Sequence, residues 1–313
     1  MQEPVAAGFP VSPQQKQLWS SQSDGHVVTT QVALLLEGPL DGQRLRNALQ
    51  KIVERHEILR TSFRRSPGMK FPFQVVNASS DIGWEEVDLQ SFDELAEKDR
   101  IEELFTANAR IDVTQIPILH ACLARRGNDR HFLIITIPAM CVDSISLKNL
   151  TLELRQQYEG ASNNAEPLQY ADYSEWQNEL LQKKDEDGQA GLEYWSRHEF
   201  SSVPKLVLPF ERKPQSDAPF HPDSVVVPLD GESSNRLNTI ASLDAANFLL
   251  SCWQVLLWRL SGQREIVIGY VSGGRDHSEL STALGVFART LPLHTNFEQD
   301  RRFADVMKEL AQV

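Results

Sequence analysis

An α/β protein of two lobes is the fold class this sequence predicts, and three observations predict it. Runs of β-branched residues alternate with segments whose apolar residues recur at helical spacing. The chain has 313 residues, 41% hydrophobic and 24% charged. That length suffices for two cores of about 150 residues each. A polar, proline-rich stretch from Pro204 to Pro222 shows little periodicity and reads as a surface segment running between lobes.

Taken in order, the first element is a helix from Ser12, with Ser12 as N-cap, Pro13 at the first helical position and Gln15 as the capping-box partner. His26 to Glu37, rich in Val, Thr and Leu and ended by Gly38-Pro39, reads as a strand. Asp41 caps a helix carrying Leu45, Leu49, Ile52 and Val53 inward, which passes directly into β-forming residues at Thr61 and Phe63. Short strands follow around Phe73–Val76 and Trp84–Val87, then a helix from Phe92 to Ala109 with Leu95, Ile101, Leu104 and Phe105 inward. Ile118–Ala124 and His131–Ile137 are two strands joined by the polar turn Arg125 to Arg130. After a helix from Ser146 to Tyr158 closed by Gly160, Tyr170 opens another, and Lys183 to Gly188 is a solvated break. Gly191 to His198 is a short helix, Ser224–Leu229 a strand, and Ser233–Leu243 and Ala245–Leu260 two helices, the second buried on more than one side. Glu265–Val271, nearly continuous Ile and Val, has the pattern of a strand covered on both faces. A loop from Ala283 enters a strand toward Leu293, and Phe303–Leu310 is an amphipathic helix. The lobe boundary is placed near the charged break, dividing the chain into 1–180, a linking segment 181–222, and 223–313.

Chemistry centres on Ile134 to Leu147, a strand, a tight loop and a helix start capped by Asp143 or Ser144. Such a junction commonly carries site residues, because it ends rigid structure at the edge of a cleft. This loop contains no His, Lys or Glu, so only Asp143 and the Cys141 thiol can move a proton there. Cys141 has no basic neighbour in the loop and reads as a buried, inert thiol. Cys122, Cys141 and Cys252 lie far apart in apolar runs, which suits reduced core thiols better than a disulfide frame or a zinc site; no metal is expected. The net charge of -12 makes nucleic acid or an anionic membrane surface a poor partner, and no apolar run approaches the roughly 18 residues of a membrane span. A cytoplasmic protein is expected. The Gly273-Gly274 pair can bring backbone close to a ligand but lacks the spacing of a phosphate loop.

Four ordered blocks resemble the condensation domains of nonribosomal peptide synthetases. Ser12 to Trp19 is similar to the family's Ser-x-Ala-Gln-x-Arg-x-Trp block. Arg55 to Phe63 matches Arg-His-Glu-x-Leu-Arg-Thr-x-Phe at every specified position. Tyr170 to Trp176 resembles Tyr-x-Asp-Phe-x-x-Trp, with Tyr173 for Phe, and Leu284 to Leu293 resembles Ile-Gly-x-Phe-Val-Asn-Thr-Leu-Pro, with Ala288-Arg289 for Val-Asn. The resemblance implies a two-lobed fold like chloramphenicol acetyltransferase, each lobe a sheet with helices, and a tunnel between them. Met140, Cys141, Ser144, Ser146, Gly273 and Gly274 are its candidate lining residues. No cofactor is expected to bind directly; carrier proteins would bring phosphopantetheine arms as substrates, and neighbouring synthetase domains are the other implied partners. In active members the upstream thioester is attacked by a downstream amine.

The central block of active members is His-His-x-x-x-Asp-Gly, whose second His positions or deprotonates the amine. Aligned on Asp143, Pro138 and Ala139 stand where the histidines belong and Ser144 where the Gly belongs. In the heterocyclising pattern Asp-x-x-x-x-Asp-x-x-Ser, Asp143 and Ser146 fit and Pro138 replaces the first Asp. Asp143 is expected to hold the loop by pairing with Arg55 or Arg60. The family continues beyond the point where this chain stops, which implies a fragment of a synthetase or a shortened relative with an incomplete second lobe. Two functions follow: a module impaired or inactive in peptide-bond formation that recruits carriers or partners, or an acyltransferase forming amide or ester bonds at a non-standard site. Docking of acidic carriers to this acidic chain would need a local basic rim, for which Arg125, Arg126 and Arg130 are candidates.

Overall fold

A computed structural model describes residues 8–21, 28–107, 111–127, 129–161, 165–182, 186–197, 200–212, 225–228, 230–297 and 302–311. The expected strand start at His26, the charged residues 183–185 and both ends of the expected Ser224–Leu229 strand lie outside these. Two compact units divide the chain, Met1–Gln189 with Ser272–Arg289, and Ala190–Val271 with Thr290–Val313. The segment 223–313 is therefore not one contiguous block: its residues 272–289 belong to the first unit.

In the first unit, β2 (Thr29–Glu37), β5 (Gly83–Asp88), β6 (His120–Arg125) and β7 (Arg130–Pro138) form a four-stranded sheet in the order β2-β7-β6-β5. Strands β2, β7 and β6 are antiparallel neighbours, β7 facing β2 from Thr29 opposite Pro138 to Glu37 opposite Arg130. The β5–β6 pair is parallel, with α3 (Glu94–Ala107) lying in the connection between them, as a parallel pair requires. Side chains alternate cleanly: Ala121, Leu123, Leu133, Ile135 and Ile137 join one core, and Cys122, Ala124 and Ile134 join a second with Leu89 and Leu104. Both faces of β7 are covered, which explains its unbroken apolar run. The first core takes the inner faces of α2 (Gly42–Arg55) and α4 (Ser144–Glu159); α3, with Ile101 and Phe105 partly buried, covers the second. Leu95, expected inward, is 73% exposed in the first turn of α3 and takes no part in this core.

A second sheet joins β1 (Phe9–Pro10), β3 (Thr61–Arg64) and β4 (Phe73–Val76) in the order β1-β4-β3. Helix α1 (Pro13–Ser21) starts with the expected capping box: the Gln15 N–H donates to Ser12 Oγ at 3.1 Å and the Ser12 N–H to Gln15 Oε1 at 2.9 Å. Helix α5 (Tyr170–Gln182) presents Tyr170 and Tyr173 to the same core.

The second unit holds α6 (Glu186–Ser196, whose last residues fall in it), α7 (Gly231–Ser261), β8 (Glu265–Ser272), β9 (Arg289–Asn296) and α8 (Phe303–Leu310). One 31-residue helix replaces the two expected on either side of Asp244. With no Gly or Pro between Asn235 and Leu260, one polar residue does not end a helix. Residues 225–228 have no regular structure, and Val225, Val226 and Val227 are exposed. Strand β8 pairs with β9 among the described residues. Only Ile266 along it is buried while Val271 is 64% exposed, so the apolar run does not mark a strand covered on both faces here. The core of this unit gathers Leu257, Ile266, Leu293, Phe297, Val306 and Leu310.

Candidate functional site

Strand β7 ends at Pro138, whose carbonyl accepts the Cys141 N–H at 2.8 Å to close the turn. Ala139 is half-buried and its N–H donates to the Val28 carbonyl at 2.8 Å, so the loop leaves the sheet under backbone control. Ala139 therefore presents a methyl group where the resemblance calls for the working histidine. Met140 and Cys141 have no exposed surface. The Met140 carbonyl accepts from Gln15 Nε2 at 3.0 Å, tying the loop to α1, and burial alone pushes the Cys141 thiol far above its ordinary range. Ser144 is exposed at the start of α4.

Asp143 is the anchor. It is the N-cap of α4, its Oδ1 accepting the Ser146 N–H at 2.8 Å. The same carboxylate forms a two-pronged pair with Arg275, Nη1 to Oδ2 at 2.8 Å and Nη2 to Oδ1 at 2.9 Å. Oδ2 also accepts the N–H groups of Phe287 and Ala288, both at 3.0 Å. Burial by itself would raise the Asp143 carboxyl, but the bonds and charge of Arg275 and the Ser146 N–H outweigh it and hold the group below the usual carboxylate range. Ser146 closes the network. Its hydroxyl donates to the Gly285 carbonyl at 2.7 Å and accepts from the Gly285 N–H at 3.0 Å and from Arg275 Nη2 at 2.7 Å. The Arg275 guanidinium also lies over the Phe287 ring, 4.4 Å from its centroid.

The pairing expected of Arg55 and Arg60 is corrected by this geometry. Arg55 lies 3.4 Å from Glu153 and Arg60 bonds Glu57 at 3.2 Å, each a carboxylate placed by its own or an adjoining helical segment. Both arginines brace the region around α2 and leave Asp143 to Arg275. Arg275 was not singled out by sequence; the one local signal was the preceding Gly273-Gly274. A Cβ on Gly274, whose φ is +62°, would strike the Phe287 carbonyl, and one on Gly273 would sit 3.0 Å from Ile145 Cδ1, so Gly274 lets the 272–289 segment fold back on itself and Gly273 lets it approach the first turn of α4.

Tyr170 completes the convergence. Its hydroxyl donates to the Val286 carbonyl at 2.8 Å, which leaves its oxygen to accept from the Ser12 hydroxyl, also 2.8 Å away. Three of the sequence blocks therefore meet in one hydrogen-bonded cluster around a loop with no base. Tyr170→Phe is expected to lower unfolding stability by about 1–3 kcal/mol, because both the Ser12 hydroxyl and the Val286 carbonyl lose a buried partner. Urea unfolding of the single variant checks it; an unchanged midpoint would remove this hydroxyl from the cluster.

Of the described histidines in the first unit, none lies in the loop. His56 bonds Glu153 at 2.8 Å, His120 contacts the Pro117 carbonyl at 3.2 Å, His131 is the second residue of β7 at the end away from Pro138, and His277 meets the Trp176 ring edge-on. Among the described residues no group of His, Cys, Asp or Glu is disposed to hold a metal. Arg125 and Arg126, candidates for a basic rim, are 3.0 and 2.6 Å from Glu86 and Glu97, which neutralises much of that surface.

Comparison with known proteins places these features in context. A family model described as the condensation domain matches residues 5–313. The chain is 32% identical over 319 residues to tyrocidine synthase 3 of Brevibacillus parabrevis, an alignment covering 99% of this chain and 5% of that protein. It thus spans a small part of that relative's length. The X-domain from teicoplanin biosynthesis superposes with a TM-score of 0.81 at 23% identity, over 100% of this chain and 70% of that one. The first condensation domain of the CDA synthetase gives 0.81 at 17%, over 98% and 74%. These likenesses establish the α/β architecture with mixed sheets and flanking helices that the sequence predicts.

Proposed function

Because this chain belongs to the condensation-domain family and has its chloramphenicol acetyltransferase-like fold, we propose that it lies among carrier-bound acyl and aminoacyl thioesters of a peptide synthetase as a module impaired in peptide-bond formation, serving to recruit carriers or partner proteins. One observation carries this reading: Pro138 and Ala139 stand at the end of β7 beside a complete Asp143–Arg275 anchor. The loop has kept what holds it and not what would take a proton.

The chemistry makes that difference large. An attacking amine must shed a proton as the amide bond forms, and a positioned base typically supplies about 100- to 10,000-fold in rate. Holding two thioester arms together orients them but supplies none of this proton transfer. An alternative acyltransferase with a non-standard base finds no support in the loop, whose remaining ionisable group, Cys141, is sealed from solvent and held as the thiol. A fold of this class does bind a partner protein elsewhere: the teicoplanin X-domain has been solved as a complex with OxyB. The phosphopantetheine arms of the carrier proteins enter as this domain's substrates, and a cytoplasmic setting belongs to the same proposal. No described helix is long and apolar enough to cross a membrane.

The test is amide formation between a loaded donor carrier and a loaded acceptor carrier, followed by intact mass spectrometry with and without the wild-type domain in its synthetase. The expected rate is that of the carriers alone. Turnover well above it would restore the acyltransferase reading.

A further inference from the structure

The loop between β3 and β4, Arg65 to Pro72, reverses the chain through Pro67-Gly68: the Met69 N–H donates to the Ser66 carbonyl at 3.2 Å, and Gly68 has a φ of +98° less than none of its neighbours shares, namely +85°. Proline second and a left-handed glycine third are what a type II turn requires, so the tip has a preset shape. Arg64 ends β3 opposite Phe73, and Phe71, packed against the first core, holds the Lys70 ammonium 5.2 Å from its ring centroid. Arg64, Arg65, Met69 and Lys70 are all exposed around this tip, Met69 by 41%.

Arg55, Arg60, Arg125, Arg126 and Arg275 of the same unit each face a carboxylate. Among the described residues Arg64, Arg65 and Lys70 form no ion pair. No Asp or Glu occurs between Glu57 and Asp81, although acids make up 43 of the 313 residues. Asp112 adjoins Val113, whose carbonyl accepts the Phe63 N–H at 2.8 Å, but its carboxylate is engaged by the Thr114 N–H and hydroxyl at 2.9 and 2.7 Å. On a chain of net charge -12, an unneutralised positive tip attracts acidic groups that the remaining surface repels, which both speeds and orients an encounter. The size of the patch sets the class of partner. Three cations match a short run of carboxylates, whereas a nucleic-acid site typically makes about 6–10 phosphate contacts and would press further negative charge against the acidic surface around the tip. An anionic membrane plane meets the same repulsion.

We propose that the Arg64–Arg65–Lys70 hairpin tip docks a short acidic segment of a partner protein. Its carboxylates bond the two guanidinium forks and the Lys70 ammonium, and an apolar side chain among them lies on Met69. The preset turn keeps the ordering cost of binding small. This deepens the recruiting role proposed above and rests on it for the existence of a protein partner; catalysis does not enter.

The experiment titrates the full chain, at low ionic strength, into a capped Glu-Glu-Leu-Glu-Glu peptide bearing a neutral fluorophore and reads anisotropy. Saturable binding is expected, weakening as salt rises and absent for the Gln-Gln-Leu-Gln-Gln peptide. Arg64→Gln, Arg65→Gln and Lys70→Gln together are expected to lower the affinity on the order of tenfold, and Arg65→Gln alone on the order of threefold. The same charge is removed from exposed positions of α2 and α4 by Arg46→Gln, Lys51→Gln and Lys148→Gln. That variant should change the affinity by about twofold or less, the effect of net charge alone. No saturable binding, equal binding of the glutamine peptide, an unchanged affinity in the hairpin variants, or an equal loss in the α2–α4 variant would each overturn the proposal. Tighter binding of an oligonucleotide of the same length, or of phosphatidylglycerol vesicles, would overturn it in favour of those partners. Carrier-dependent amide formation is read separately, so failure here leaves the functional reading of the loop to its own test.

Discussion

Replacing Asp143 by alanine is expected to destabilise the first unit by about 3–5 kcal/mol, the usual cost of breaking one side of a buried ion pair. The Arg275 side chain is 7% exposed, so without the carboxylate its charge is stranded away from water. The N–H groups of Phe287 and Ala288 lose their acceptor at the same time, and α4 loses its N-cap, itself about 1 kcal/mol. Equilibrium urea unfolding at neutral pH measures the sum; a loss below about 1 kcal/mol would mean that the pair adds little beyond a surface contact. Asp143→Asn keeps the volume and one acceptor oxygen and should fall between wild type and alanine. The pH dependence has a fixed sign. The folded-state carboxyl is held below its unfolded value of about 3.9, so its stabilisation is fully present above that value and is lost as pH falls through the folded one. The stability gap between wild type and Asp143→Asn should therefore be flat from neutral pH down to about 5 and close in stronger acid. A gap that persisted unchanged in acid would contradict an ionised anchor.

Local signals in the sequence carried most of the first unit. The capping box at Ser12 and Gln15, the cap at Asp143, the hairpin between β6 and β7 and the terminal helix Phe303–Leu310 are each written within a few neighbouring residues, and each forms as the residues suggest. What stayed hidden was set by distance along the chain. Asp143 and Arg275 are 132 positions apart, and no periodicity or turn residue links them. Arg55 and Arg60 lie in a block that matches the family closely, yet their partners are Glu153 and Glu57. An arginine near in sequence to a matched block is not thereby near in space. The same limit applies to β8: its composition asks for burial, but burial depends on what else packs there, and in this structure Tyr270 and Val271 are exposed. The loop's composition, in contrast, is plain in the sequence, since Pro138 and Ala139 can be read off without any contact.

Restoring the base is the second large effect. Ala139→His places an imidazole at the exit of β7, on a loop whose position is already fixed by the Val28 carbonyl, the Gln15 amide and the Asp143–Arg275 pair. Ala139 is half-buried, so its side-chain position is not sealed in the core. If the scaffold is intact and only proton transfer is lacking, the variant should gain on the order of 100-fold over wild type, the lower end of what a positioned base supplies. Adding Asp143→Ala should erase that gain, since the loop would no longer be held.

The most direct measurement is therefore amide formation between two loaded carriers, comparing no domain, wild type and Ala139→His by intact mass spectrometry in the synthetase. The account predicts a wild-type rate equal to that of the carriers alone and a clear increase with the histidine. Wild-type turnover far above the carriers alone, unchanged or reduced by Ala139→His, would contradict it.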